Sequence, residues 1–449
     1  MNVTAITAGG FACTLLSDEG PPQGTQVVVR ITQWAGVDAH VANHRALTEV
    51  IPWGVPKLVG APPTNYATIA DLPRNYLEAM QKQPACGAKL EQWRSAAEAG
   101  DNTPITVYRM EYANRGTFAT YQWSNYADRV LDAKRFTFLA IGLIYAANWR
   151  LGFQHSDLTP TNLLVHHDDE GMGVPIPWLI DFDLATFGAP RKIGSLYVAP
   201  PEVFLQPLGV APAAPPVPCS YDIWSLGMCL LAKAITPIGA PRLANAQAIV
   251  METYPGLQDP RYIRTFTYYV ICCFHSLLTG RHIDRYQLIS NERHLLPIPD
   301  DRLVACRTQF YDTVQAKYGD GFVRLHKDLR ELLLRMLDVD PEARVFGGDM
   351  NSYFYEPYFT LLKDRSGLIA RYIIPILGIA PMPNVMRRPI VDQVQALVAA
   401  GMELQCGYCG GRAHYVDMQL RGWVCKVKNH SLGSYFREEE INSTQAGPA

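Results

Sequence analysis

The chain has 449 residues, 48% of them hydrophobic and 18% charged, with 40 lysines and arginines against 42 aspartates and glutamates. That length exceeds what one growing core supports and predicts two or three compact units, while a net charge of -2 excludes a general nucleic-acid or membrane-surface binder. No apolar run approaches the roughly 20 residues of a membrane span, the start Met1-Asn2-Val3-Thr4 lacks a basic leader, and 10 cysteines are too sparse for a disulfide scaffold, so an intracellular, reducing compartment is expected.

Taken in order, the first thirty or so residues read as paired β-strands around Thr7-Ala8-Gly9-Gly10-Phe11, a turn whose bland reading is a surface loop. Val27 to Ile31 is apolar and β-branched and predicts a buried strand, interrupted by the cation Arg30. A helix is expected over Asp38 to Val50, a fourth strand at Pro56 to Val59, and a polar, Ala-rich connection over 60–103 with a helix at Leu90 to Ala99; a connection of that length serves docking or is tolerated at the surface. Val107 to Glu111 reads as a further strand and Arg135 to Trp149 as a core helix.

The most informative stretch follows. His155-Ser156-Asp157-Leu158-Thr159-Pro160-Thr161-Asn162, the apolar runs Leu163 to Val165 and Trp178 to Ile180, and Asp181-Phe182-Asp183 set a carboxylate, an amide and a second carboxylate at the spacing phosphoryl transfer requires. One acid can orient a hydroxyl, and the amide and second acid can hold magnesium against ATP. Beyond it, Pro207 to Pro218 predicts an extended loop, and 241–319 is longer than a compact helical region needs, so a helical insertion is expected there.

These motifs, with Tyr197-Val198-Ala199-Pro200-Pro201-Glu202, Asp222-Ile223-Trp224-Ser225-Leu226-Gly227 and Leu332 to Arg344, resemble the eukaryotic-type protein kinases in order over about residues 1–365. The resemblance implies an α+β, two-lobed fold: a β-rich N-lobe over 1–110 with an insertion at about 60–103, and a helical C-lobe over 111–365 with an insertion at about 241–319. It implies ATP and Mg2+ as ligands, a protein substrate, and transfer of the γ-phosphate to serine or threonine. Asp157 would be the catalytic acid, Asn162 and Asp181 the magnesium ligands, and Gly9 and Phe11 part of the phosphate loop. Arg30 would stand at the lysine position with Glu49 as its partner, against the plainer reading of Glu49 as a solvated acid. Met110, Glu111 and Ala113 would line the adenine side, Asp222 would brace the catalytic loop, and Glu202 would pair with Arg344.

Several departures bear on activity. Arginine is planar and longer than lysine, so Arg30 is no simple replacement. Ser156 stands where arginine is common, and Asp183 replaces the glycine of D-F-G, as an extra charge near the metal or as the mark of a site fixed in one state. Thr159-Pro160 resembles herpesvirus-type kinases and suggests a viral origin. The alternative to an active enzyme is a pseudokinase scaffold that binds partners without turnover.

A connecting segment at 366–400 precedes a small module at 401–440 and a tail at 441–449 expected to be disordered. Cys406-x2-Cys409-x15-Cys425-x4-His430 has the ligand spacing of tetrahedral structural Zn2+, with His414 a rival fourth ligand and ordinary reduced cysteines the plain alternative. A closed zinc-ribbon-like shell has no open position for chemistry, which assigns it to folding or protein docking.

Overall fold

A computed structural model describes residues 3–8, 12–20, 25–123, 126–167, 175–187, 194–204, 219–235, 260–280, 300–341, 344, 414–417, 422–425 and 431–434. The fold is mixed α and β and divides into two compact units, Met1–Asn114 with Trp178–Asp183, and Arg115–Pro177 with Leu184–Ala449.

The first unit is built on an antiparallel sheet. Strands β1 (Val3–Ala8), β2 (Ala12–Gly20), β3 (Thr25–Gln33), β4 (Thr64–Tyr66) and β5 (Ile105–Glu111) pair in the order β1-β2-β3-β5-β4. Side chains alternate across a strand, so Val27, Val29 and Ile31 of β3 lie on one face and Val28 and Arg30 on the other. On the first face they join Leu72, Tyr76, Met80, Leu90 and Trp93 in one apolar cluster. The second carries helix α1 (Val37–Val50), whose Val37 and Val41 pack with Tyr108 and Met110.

The connection over 60–103 differs from its reading as one helix and a surface insertion. It forms β4, a 3-10 turn at Ile69–Asp71, α2 (Arg74–Lys82) and α3 (Pro84–Glu98), and its apolar residues supply a layer of the core. Pro84 opens α3, where a missing N–H costs nothing, and the Gln83 side chain accepts from Cys86 N–H at 2.8 Å. The strand expected at Pro56 to Val59 reduces to a bridge, Leu58 to Met110, along the β5 edge that β4 then occupies.

In the second unit the long helix α4 (Tyr126–Leu151) leads to β6 (Phe153–Gln154), which pairs with β9 (Thr186–Phe187); β7 (Leu163–His167) and β8 (Pro175–Leu179) form another two-stranded ladder. A 3-10 turn at Leu196–Val198 and α5 (Pro201–Phe204) precede α6 (Ser220–Ile235), which is buried nearly all round, as a helix apolar on every side must be. Three further helices follow, α7 (Pro260–Thr279), α8 (Asp300–Val323) and α9 (Lys327–Met336); α8 and α9 pack on α6 and α7 packs on α8, while much of the expected 241–319 insertion is outside the described residues. Strands β10 (His414–Asp417), β11 (Gly422–Cys425) and β12 (Ser431–Ser434) form a separate antiparallel sheet whose register sets His414 opposite Cys425. Among the described residues no helix is long and apolar enough to cross a membrane, and Cys13, Cys86, Cys219, Cys229, Cys272 and Cys273 are buried and unlinked.

Candidate functional site

In the second unit, the loop between β6 and β7 is fixed from below. Asp222, buried on α6, accepts from the backbone N–H groups of His155 at 2.8 Å and Ser156 at 3.0 Å. Burial pushes the Asp222 carboxyl up from the usual carboxylate range, opposed by His155 and by those two amides. Ser156 adopts a left-handed backbone, φ 64°, a conformation that costs a non-glycine residue roughly 1–2 kcal/mol and persists where surrounding bonds hold it.

That turn presents Asp157. Its Oδ1 accepts from Ser195 N–H at 2.7 Å, and its Oδ2 accepts from Asn162 Nδ2 at 3.2 Å; the same Nδ2 donates to the Asp157 carbonyl at 2.9 Å. With both amide bonds running through Nδ2, the Asn162 oxygen is the atom left to meet a cation, and a hard oxygen donor suits magnesium. Asp157 and Asn162 are therefore brought together. Gly194 was not anticipated. A Cβ there would come 2.5 Å from Asp157 Oδ1 and 2.5 Å from the Ser156 carbonyl, so no side chain fits where the backbone crosses the carboxylate. A short X-Gly-Ser before the Tyr197–Glu202 motif was its only sequence trace. Tyr197, beside it, has its phenol pushed up to about 12, by burial first and then by Cys229 and Asp157.

Beneath this loop, Arg344 is fully buried and bidentate to Glu202, Nη1 to Oε1 and Nη2 to Oε2 both at 2.9 Å. Its remaining donors reach the carbonyls of Asp338, Ser220 and Val339, and the guanidinium lies 4.9 Å from the Trp224 ring centre. The expected pair is formed.

In the first unit, Arg30 points to the α1 face. Its Nη2 donates to Asp181 Oδ1 at 2.8 Å and lies 3.6 Å from Asp183 Oδ2. Burial works against the guanidinium charge, but Tyr108, Asp181 and Asp183 outweigh it and its pKa rises. Asp181, like Ser156, is left-handed, φ 66°. Leu179 N–H donates to the Gly54 carbonyl at 2.9 Å, and Phe182 packs edge-on against His44, which fixes the chain on either side of it.

Glu49 requires a correction. It is exposed, and it lines a cavity of about 390 Å3 with Arg45, Lys57 and Pro62 rather than meeting Arg30. The reason is helical phase: the buried positions of α1 are Val37, His40, Val41, His44 and Leu47, and Glu49 falls between the turns of that stripe. At the end of β5, Met110 is buried against α1, the Glu111 N–H donates to the Lys57 carbonyl at 2.9 Å and its Oε2 accepts from Lys57 N–H at 2.9 Å, and Ala113 is buried. Gly9, Phe11, Cys406, Cys409 and His430 lie outside the described residues, and Cys425 is placed only by its position in β11. Among the described residues no cluster of three or more metal-ligating side chains occurs.

Compared with models of known protein families and with curated proteins, the chain matches none.

Proposed function

We propose that the chain is a divergent, two-lobed protein kinase that transfers the γ-phosphoryl group of ATP to a serine or threonine hydroxyl of a protein. The observation that carries this reading is Asp157: a carboxylate held by the Ser195 N–H and the Asn162 amide on a strained turn that buried Asp222 fixes. Held so, it can accept a hydrogen bond from an incoming hydroxyl and take its proton as the oxygen bonds to the γ-phosphorus and the bond to the β–γ bridging oxygen breaks, releasing ADP.

Asn162 and Asp181 would hold magnesium, which when bound supplies charge neutralisation to the phosphates. Arg30 would bind the phosphates as the cation of the first unit. Met110, Glu111 and Ala113 would take the adenine. The work of these residues is positioning and electrostatic, which is most of what phosphoryl transfer asks of a protein.

The second reading, a pseudokinase scaffold, is favoured by one observation: Arg30 already faces two carboxylates. Phosphate transfer from labelled MgATP to a generic protein acceptor separates the two. Wild type should transfer and Asp157→Asn should lose roughly 10²- to 10⁴-fold; a wild type without transfer rules the enzyme out, and an Asp157→Asn variant equal to an active wild type rules out Asp157 as the acid that takes the proton. We also propose that residues 401–440 form a structural zinc module from Cys406, Cys409, Cys425 and His430 or His414. Metal analysis of the full chain, with one equivalent of zinc lost in Cys406→Ser, tests it.

A further inference from the structure

Helix α1 brings no acid to Arg30. Its buried stripe is Val37, His40, Val41, His44 and Leu47, and its two carboxylates, Asp38 and Glu49, are both exposed. The counter-charge comes from the loop after β8 instead. Asp181 Oδ1 meets Arg30 Nη2 at 2.8 Å, and Asp183 approaches the same nitrogen through Oδ2 at 3.6 Å.

Asp183 does more than add charge. Its other oxygen, Oδ1, lies 2.7 Å from Nδ1 of His40, a side chain only 3% exposed. The opposite ring nitrogen, Nε2, is 3.1 Å from the hydroxyl of Tyr108, the residue that stands across from Arg30 in the β3–β5 register. Asp183 thus has one oxygen turned to the strand and one to the helix, and His40 is held between Asp183 and Tyr108. Asp183 Oδ1 and His40 Nδ1 are in close contact, although Nδ1 makes no aligned hydrogen bond among the described residues.

We propose that Asp183, braced by His40, is the positioning carboxylate for Arg30, acting from the loop as an acid on α1 would act from the helix. The inference rests on the phosphotransfer reading above and gives the two loop acids different tasks. Asp181 can turn from Arg30 to a metal ion, while Asp183 keeps the guanidinium in place. A residue that replaces glycine at 183 is then a working part of the site, and the missing helix acid is accounted for by His40.

The test uses the full chain, MgATP and a protein acceptor, with kcat, KM for MgATP and melting temperature measured for each variant. Asp183→Gly, and the isosteric Asp183→Asn in case the first fails to fold, should each lose about 10- to 100-fold in kcat/KM for MgATP, the range typical of removing a residue that orients a ligand-binding group. His40→Glu alone should also lose activity, since it crowds a third carboxylate around one guanidinium. Combined with Asp183→Gly, the same His40→Glu should recover about tenfold over the single variant, because the carboxylate is moved from loop to helix and not lost. A role in packing alone would lower the melting temperature and leave kcat/KM unchanged, and would give no recovery in the double variant. Either result, with wild type active, overturns this inference and spares the kinase reading; a wild type with no phosphate transfer overturns both.

Discussion

Arg344, fully buried, and Arg30, partly buried, both face carboxylates, and they are bound in opposite ways. Arg344 has every nitrogen engaged: two bonds to Glu202, three to backbone carbonyls, and a face near Trp224. Arg30 hydrogen-bonds through Nη2 to Asp181, with Asp183 at a looser 3.6 Å. A guanidinium with all its donors satisfied has nothing to offer a ligand, whereas one that meets the described residues through a single nitrogen can still bind an anion with the rest of its fork. The comparison sets an arginine saturated by its own fold beside one that the proposed function would use.

The largest effect is expected at the saturated member. Arg344→Ala strands Glu202 and several carbonyls and should cost about 3–5 kcal/mol in chemical denaturation. A wild-type unfolding midpoint would show that the bonds around Arg344 contribute little.

Arg30→Ala should behave in the reverse sense. Phosphate transfer should fall by about 10²- to 10³-fold, as when one charge-stabilising donor is removed, with a stability loss smaller than that of Arg344→Ala. If MgATP binding and transfer are indifferent to Arg30→Ala, the contrast between the two arginines collapses and the scaffold reading gains.

The surroundings of Arg30 should also respond to pH. Burial, with help from the charges of His40 and Arg30, pushes the His44 pKa down to about 4, against the bond from its ring to the Pro56 carbonyl. The unfolded chain then binds a proton that the folded chain refuses between about pH 6.5 and 4, so stability is present above that window and is lost as pH falls through it. The loss approaches roughly 3 kcal/mol across the window. Denaturation at pH 7 and pH 4.5 should show a shallower loss for His44→Gln than for wild type; parallel slopes would assign the acid sensitivity elsewhere.

The smallest effect belongs to Glu49. Glu49→Gln should change stability by less than about 0.5 kcal/mol, as surface substitutions do. A large loss of transfer in this variant would restore Glu49 as the partner of Arg30.

Glu49 shows what the sequence conceals. Counting residues from Arg30 finds an acid at a suitable distance, but a count carries no information about which face of a helix a side chain occupies. The apolar and histidine positions 37, 40, 41, 44 and 47 do carry it, and that stripe sets Glu49 outside. Asp222 and Glu202–Arg344 were legible only because the motifs that carry them resemble those of protein kinases; nothing in the spacing alone would pair residues 142 positions apart. Gly194 was not legible, since its constraint is the approach of Asp157, distant in the chain. The layer formed by α2 and α3 was hidden for a different reason: its buried residues, Tyr76, Ala79, Met80, Cys86, Leu90 and Trp93, are divided between two short helices, each too brief to repeat its buried stripe more than once or twice.

The first unit is assembled from two pieces of chain, Met1–Asn114 and Trp178–Asp183, and this orders events during synthesis. At 5–20 residues per second, the stretch from Glu111 to Asp181 takes roughly 3–15 s to emerge. Through that interval the sheet and its α2–α3 layer can form, while Arg30 has neither loop carboxylate to meet it. An uncompensated guanidinium resists burial, so the α1 face should stay hydrated until Asp181 and Asp183 arrive. The nascent protein would thus carry a dry side and a wet side for several seconds, and closure of the wet side would mark the moment at which Arg30 and the two loop carboxylates first meet.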